Sequence, residues 1–233
     1  EVLDSAREQA ERFNEGIGED IVDLSATTFI TIYPADARDF DDAISLEILP
    51  NVLWRLGVHI ADVAHFVPLK TPLDREARDR ATSVYLPDRV IPMLPEIISN
   101  HLASLQPGEI RYAKTVFMEI SEDGIPIDTE IVRAAIKSDH RFNYEEVDQY
   151  LENPGPWKTK LTSDVFDLLG RMHKLAMILR GRRMDNGSIE MIMPEIKIDL
   201  DREGTVSGAH VEKNTESHQI IEEFMLAANE AVA

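Results

Sequence analysis

The sequence predicts an α+β protein, and three kinds of observation carry that reading. Val52, Trp54, Leu56, Val58 and Ile60 alternate with the period of a strand that buries one face. Val165, Leu168, Leu169, Met172, Leu175, Ala176 and Leu179 recur at the 3.6-residue spacing of a helix. Glu122-Asp123-Gly124, between two apolar runs, marks a hairpin turn. With 233 residues, 43% of them hydrophobic and 29% charged, the chain suffices for one large domain or two small ones with a buried core.

Taken in order, Asp4 to Phe13 reads as a short, solvated helix and Phe29 to Tyr33 as a strand. Ala43 to Leu49 follows as a second strand, and Pro50-Asn51 turns the chain into the alternating run from Val52. Leu73 to Arg80 is a charged helical piece. In "VYLPDRVIPMLPEII", Pro87, Pro92 and Pro95 forbid a helix interior and a central strand, which leaves an ordered, extended loop of the kind that lines a site. Ala113 to Ile120 and Ile127 to Ile136 form the arms of the hairpin. Asn143 caps a short helix through Leu151, with Glu146 placed as its capping-box partner, and Asn153-Pro154-Gly155-Pro156 breaks the chain.

Ser163 opens the clearest helix, and Arg180, Arg182 and Arg183 end it. Cations there suit the negative end of a helix dipole; an RNA phosphate contact is the alternative use. Ile196 to Leu200 reads as a strand that turns at Glu203-Gly204. A last helix starts near Ser217, with Ile221, Phe224, Met225, Ala228 and Val232 on its inner face. It reaches Ala233 without a cap or breaker, so the chain reads as truncated.

Composition narrows the function. The chain has no Cys, which excludes disulfides and thiolate metal sites. Its N-terminus is polar and acidic, unlike a signal peptide, and no apolar run approaches the roughly 20 residues that span a bilayer. A soluble, cytoplasmic protein with no membrane partner is the expectation. The net charge is -19, and Glu1 to Glu47 holds 13 acids against 3 bases. Nucleic-acid binders usually show a basic footprint, so an RNA role here needs a local basic groove, metal ions or other domains.

The densest chemistry lies in "TIYPADARDFDDA", Thr31 to Ala43, with Asp36, Asp39, Asp41 and Asp42 against Arg38 alone. Carboxylates that close repel one another, and one would ordinarily take up a proton. A hard divalent cation removes the conflict, and two such ions clamp the attacking and leaving oxygens of a phosphodiester displacement. The spacing of Asp39, Asp41 and Asp42 offers carboxylates on both sides of a local bend. A solvated acidic turn, a phosphatase-like site and a calcium site remain open on spacing alone. The usual calcium loop carries a glycine at its sharp turn, and this stretch has none.

Together with "LGVHIADVAHFV", "LDREARDRATSVYLPDRVIPMLPE" and "IIEEFMLAAN", in that order, the acidic stretch resembles the RNB family of exoribonucleases, the ribonuclease II and ribonuclease R type. The likeness runs from Asp23 onward, leaving 1-22 as a helical lead-in and 23-233 as a partial catalytic domain. The resemblance implies a mixed, mostly antiparallel sheet with packed helices. It also implies a 3'-to-5' hydrolase that releases 5'-mononucleotides from single-stranded RNA with Mg²⁺, or Mn²⁺ in its place. By position, Asp39, Asp41 and Asp42 match three of the family's four active-site aspartates and would hold the metals. Tyr85 and Tyr144 match nucleotide-contacting tyrosines, and Glu222 matches a glutamate near the terminal ribose, where a 2'-OH distinguishes RNA from DNA. Each also has a plain reading: Tyr85 as a half-buried aromatic, Tyr144 as an anchor for its helix, Glu222 as a surface acid. His59, between Val58 and Ile60 on a strand, reads as structural, and His65, His101 and His218 show no ligand spacing.

The pattern breaks at three places. Tyr33 stands where the family has its first aspartate, and a neutral phenol with a reference pKa of about 10 is a poor metal ligand near neutral pH. That change invites an alternative: an impaired relative that binds RNA without degrading it. Met191 stands where relatives carry an aromatic that clamps the terminal base, and base–aromatic stacking is worth ~1–3 kcal/mol. Finally, the family's arginine-bearing "SPIRRY"-type segment and its OB-fold RNA-binding domains fall outside these 233 residues, and those modules would supply much of the basic RNA path.

Overall fold

The computed structural model describes residues 1–13, 18, 20–191, 195–201 and 203–233. Helix α1 (Val2–Arg12) precedes four strands, β1 (Val22–Asp23), β2 (Ile30–Tyr33), β3 (Asp42–Ile48) and β4 (Trp54–Ala61). Helix α2 (Pro72–Arg80) and a small hairpin, β5 (Val84–Tyr85) and β6 (Val90–Ile91), follow. Next come β7 (Ile110–Ile120), β8 (Pro126–Lys137), β9 (His140–Asn143), α3 (Tyr144–Glu152) and α4 (Ser163–Asp185). A second hairpin, β10 (Glu195–Leu200) and β11 (Val206–Glu212), leads into α5 (Glu216–Val232). Among the described residues no helix is long and apolar enough to cross a membrane.

The α+β reading holds. The main sheet runs β1-β8-β7-β4-β3-β2-β9; its four inner junctions are antiparallel and its two outer ones parallel. One face carries α3, α4 and α5, with Ile44, Leu56 and Val116 of the sheet meeting Leu169, Met172 and Phe224. The other face is covered by α1, α2 and residues 92–105, through Ala6, Leu73, Ile98 and Leu105.

Both faces being covered corrects two expectations. The strand from Trp54 is central rather than one-sided: Val58 and His59, on opposite faces, are both fully buried. Helix α1 is docked rather than solvated, because Ser5 and Ala6 are buried and Phe13 packs on Phe66 and Tyr112. The proline-rich stretch is less extended than expected. Pro87 lies in the tip of the β5–β6 hairpin, and Pro95 accepts the Ile98 N–H at the start of a helical turn over Ile97–Leu102. In α5 the inner face is Ser217, Ile220, Glu223, Phe224 and Ala228, while Val232 is 58% exposed. The capping box at Asn143 and Glu146 forms as expected, with bonds of 2.9 and 2.7 Å.

Under the sheet's central strands lies one buried polar chain. His59 bonds Ser45 Oγ through Nε2 at 2.9 Å and Thr115 Oγ1 through Nδ1 at 2.8 Å. Its ring meets Phe29 edge-on at 4.6 Å. Gly57 makes room for it, since a Cβ there would stand 2.4 Å from Ser45 Oγ and 2.7 Å from His59 Nε2. Burial pushes the His59 pKa down from 6.5 to about 3, so the ring is neutral and structural.

The unfolded chain protonates this histidine below about pH 6.5, and the folded protein only near pH 3. Its contribution to stability is intact above pH 6.5 and falls by about 1.4 kcal/mol per pH unit as the pH drops through that window. Chemical denaturation of the parent and His59→Gln between pH 7 and 4 checks this. The difference between the two curves should shrink steadily as pH falls, because glutamine does not titrate.

Candidate active site

The acidic stretch forms the connection between β2 and β3. Pro34 ends β2, and its carbonyl accepts the Ala37 N–H at 3.1 Å in a turn. Phe40 then anchors the loop. It is 4% exposed, its N–H donates to Ser104 Oγ at 2.9 Å and its carbonyl accepts from Leu105 N at 2.8 Å. Ala61 N binds the carbonyl of Asp41 at 2.8 Å. With Phe40 turned inward, Asp39 and Asp41 flank it on the outer side, Asp39 half-buried and Asp41 exposed. Asp42 begins β3 opposite Ile60.

Tyr33 closes the loop from within. Its hydroxyl accepts the N–H groups of Asp41 at 2.7 Å and Asp42 at 2.8 Å and donates to Asp42 Oδ1 at 2.5 Å. A hydroxyl has one proton and two lone pairs, so all three are in use. The Tyr33 ring packs on Phe40 with centroids 5.2 Å apart. Asp42 Oδ2, the other oxygen of that carboxylate, is buried with no hydrogen-bond partner.

The electrostatics run through the three aspartates in series. Burial, then the charge of Asp39, holds the Asp41 carboxyl above the usual range. Burial also raises Asp42; the Tyr33 bond works against this, and the charge of Asp41 adds to it. Burial and the charge of Asp42 push the Tyr33 phenol far up, so it keeps its proton.

Two of the sequence-predicted contact residues join this field. Tyr85, on β5 and 69% exposed, has its phenol raised by burial and then by Asp39 and Asp41. Tyr144, the first residue of α3, is raised by burial and then by Asp42. Its ring lies against that of His218 on α5, with centroids 3.8 Å apart and planes 12° apart. His218 is held by the Thr215 cap, whose hydroxyl donates to Asp148 on α3 at 2.8 Å. Sequence reasoning set His218 aside for want of ligand spacing; its signal was the position three residues after a Thr cap.

Glu222 is exposed on α5, one turn after His218, and its charge helps raise the pKa of Arg183. The neighbouring Glu223 is the buried acid, 3% exposed, and Arg183 grips it through Nε at 3.1 Å and Nη2 at 2.5 Å. Arg180 joins this group and also bonds Glu190. Two of the three arginines that end α4 thus serve a buried carboxylate, a use that neither the helix dipole nor an RNA phosphate anticipated. Met191 is 75% exposed.

The donors in the loop are carboxylate oxygens alone, the set that a hard cation such as Mg²⁺ or Mn²⁺ prefers. The unpartnered Asp42 Oδ2 is an oxygen such an ion would satisfy. Among the described residues, however, no three His, Asp or Glu side chains are already drawn together around a cation position. The residues therefore fit the ion in kind.

An α+β sheet that presents coupled aspartates between two tyrosines defines an acidic, oxygen-donor site on a rigid scaffold. A model described as the RNB domain matches residues 21–233, and the chain belongs to the RNB family. Ribonuclease R of Thermotoga maritima is 44% identical over 212 residues, which is 91% of this chain and 30% of that protein. RNase R of Mycoplasma genitalium, solved in complex with ribose methylated single-stranded RNA, matches with a TM-score of 0.91 and 29% identity over 100% of this chain and 36% of its own. A likeness of fold alone extends to yeast Ssd1, a pseudonuclease, at a TM-score of 0.71 and 20% identity over 92% of this chain and 26% of its own. The chain spans about 30% of the length of the curated relatives it matches.

Removing the Tyr33 hydroxyl leaves two backbone N–H groups and Asp42 Oδ1 without their partner. Tyr33→Phe should therefore lower stability by about 1–3 kcal/mol, read as a drop in the denaturation midpoint at pH 7.

Proposed function

We propose that this chain is part of the catalytic domain of a 3'-to-5' exoribonuclease that hydrolyses single-stranded RNA to 5'-mononucleotides. The observation that carries the reading is the shared field of Asp39, Asp41 and Asp42 with Tyr85 and Tyr144.

Each has a role by its chemistry. Asp39, Asp41 and Asp42 would hold Mg²⁺. Two such ions, when bound, would supply the charge that steadies the attacking and leaving oxygens of the phosphodiester. Tyr85, mostly exposed, offers a ring face to the terminal base. Tyr144, partly buried against the core with one ring face covered by His218, would meet a nucleotide through what of it stays exposed. Glu222, exposed on α5 one turn after the His218 that stacks on Tyr144, would meet the terminal ribose. The net charge of -19 opposes RNA at long range. The reading therefore leans on bound cations and on the OB-fold domains of the family for affinity.

A second reading is favoured by one observation. The saturated Tyr33 hydroxyl has no lone pair left for a cation and already engages Asp42 Oδ1. On that reading the chain is an RNB relative that retains RNA and degrades it slowly or not at all. The fold is silent between the two, since a pseudonuclease shares it.

An RNA degradation assay on the full-length protein separates them. The enzyme reading expects mononucleotide release that needs Mg²⁺ and is abolished by Asp41→Asn. The impaired reading expects saturable RNA binding without release, and release restored in Tyr33→Asp. Absence of both binding and release in every variant overturns the exoribonuclease assignment.

A further inference from the structure

The acidic loop is clamped from two sides. On one, Ser104 and Leu105 bind the two backbone groups of Phe40, and Gln106 Nε2 donates to Arg38 O at 3.3 Å. On the other stands Arg141. Strand β9 lies parallel to β2 with Arg141 beside Thr31, so this side chain starts level with the strand that enters the loop. Its Nη2 donates to Pro34 O at 2.8 Å and to Ala35 O at 3.0 Å. Its guanidinium carbon lies 5.0 Å from the centroid of the Phe40 ring, and Phe40 in turn packs on Tyr33.

One side chain therefore grips both limbs of the loop. It holds the entry limb by two carbonyls and the exit limb by the ring between Asp39 and Asp41. Its hydrogen-bond partners are carbonyls rather than carboxylates, so its work is geometric rather than neutralising. Arginine suits this because it combines donors in a planar fork with a flat face that stacks on an aromatic ring. Lysine keeps the charge and loses both.

We propose that Arg141 is a positioning residue that fixes the spacing of Asp39 and Asp41 by tying residues 34–35 and Phe40 into one body. Its consequence for cation binding rests on the proposed function; its effect on loop order does not.

The test compares the parent chain with Arg141→Met and Arg141→Lys by three readouts. These are amide hydrogen exchange at Asp41 and Asp42, Mn²⁺ affinity by electron paramagnetic resonance, and the thermal midpoint. The Asp41 and Asp42 N–H groups, which the Tyr33 hydroxyl accepts, should exchange about tenfold faster in both variants. Mn²⁺ affinity should fall about tenfold or more, the usual effect of losing a group that orients metal ligands. Exchange at Val58 and Val116 in the sheet core should stay at the parental rate, which a general loss of stability would not allow. Should Arg141→Met fail to fold, Arg141→Lys carries the readouts alone. Parental exchange in either folded variant overturns the proposal, and so does parental Mn²⁺ affinity with loosened amides. If the parent chain binds no Mn²⁺, the cation reading of the loop fails, and the exchange rates still decide the role of Arg141.

Discussion

Three aspartates within four positions repel one another, and the loop that carries them needs a partner inside it for the backbone groups of Asp41 and Asp42. In this chain that partner is the Tyr33 hydroxyl. It accepts two consecutive backbone N–H groups that would otherwise sit unpaired, and it donates a hydrogen bond to the carboxylate with least access to water among its neighbours. Each of these bonds is modest in net terms, but leaving the groups unmade in a partly buried site is expensive. The phenol thus does for the loop's interior what a cation or a second set of donors would otherwise have to do.

The rest of the fold keeps that arrangement still. Strands β2 and β3, which bound the loop, lie in a sheet covered on both faces, and their register with β9 and β4 brings Arg141, Ser104 and Leu105 within reach. The His59 chain beneath couples β3, β4 and β7 by bonds that have no water to compete with them. The neutral His59 adds no charge behind the acidic loop; the buried acid nearby is Asp62, which follows β4 and pairs with Lys114 and Arg133. Asp41 and Asp42 are raised by desolvation and by their neighbouring aspartates.

Much of this was legible in the sequence where a local rule acts alone. Asn143 and Glu146 announce a capping box because two side chains three residues apart decide it. The 3.6-residue run from Val165 announces α4 because one face is apolar throughout. The acidic stretch was legible as a loop between two strands, because apolar runs flank it on both sides. What failed were properties of the assembled layers. Alternation in Val52 to Ile60 implied one buried face; the other is covered by elements distant in sequence, and His59 and Gly57 fill it. The arginines that end α4 gave no hint that Glu223 would be their partner, since that pairing spans 40 positions. Tyr33 was legible as a departure from a family pattern, and its three bonds were not, because they depend on how sharply the chain turns at Pro34.

Those three bonds bear on what the departure means chemically. A carboxylate is acceptor-only and an aspartate is much shorter than a tyrosine, so an aspartate at position 33 would have nothing to give Asp42 and would not stand where the phenol oxygen takes the two N–H groups. A carboxylate there would add one more negative charge to a group of acids that already raise one another's pKa. The phenol removes one charge from that group and adds one donor. It leaves the loop folded and satisfied on that side whether or not an ion is present. The same change withdraws an oxygen that an ion would use, and leaves Asp42 Oδ2, with Asp41 and Asp39, as the remaining donors. Tyr33 therefore holds the loop by hydrogen bonds that involve no metal.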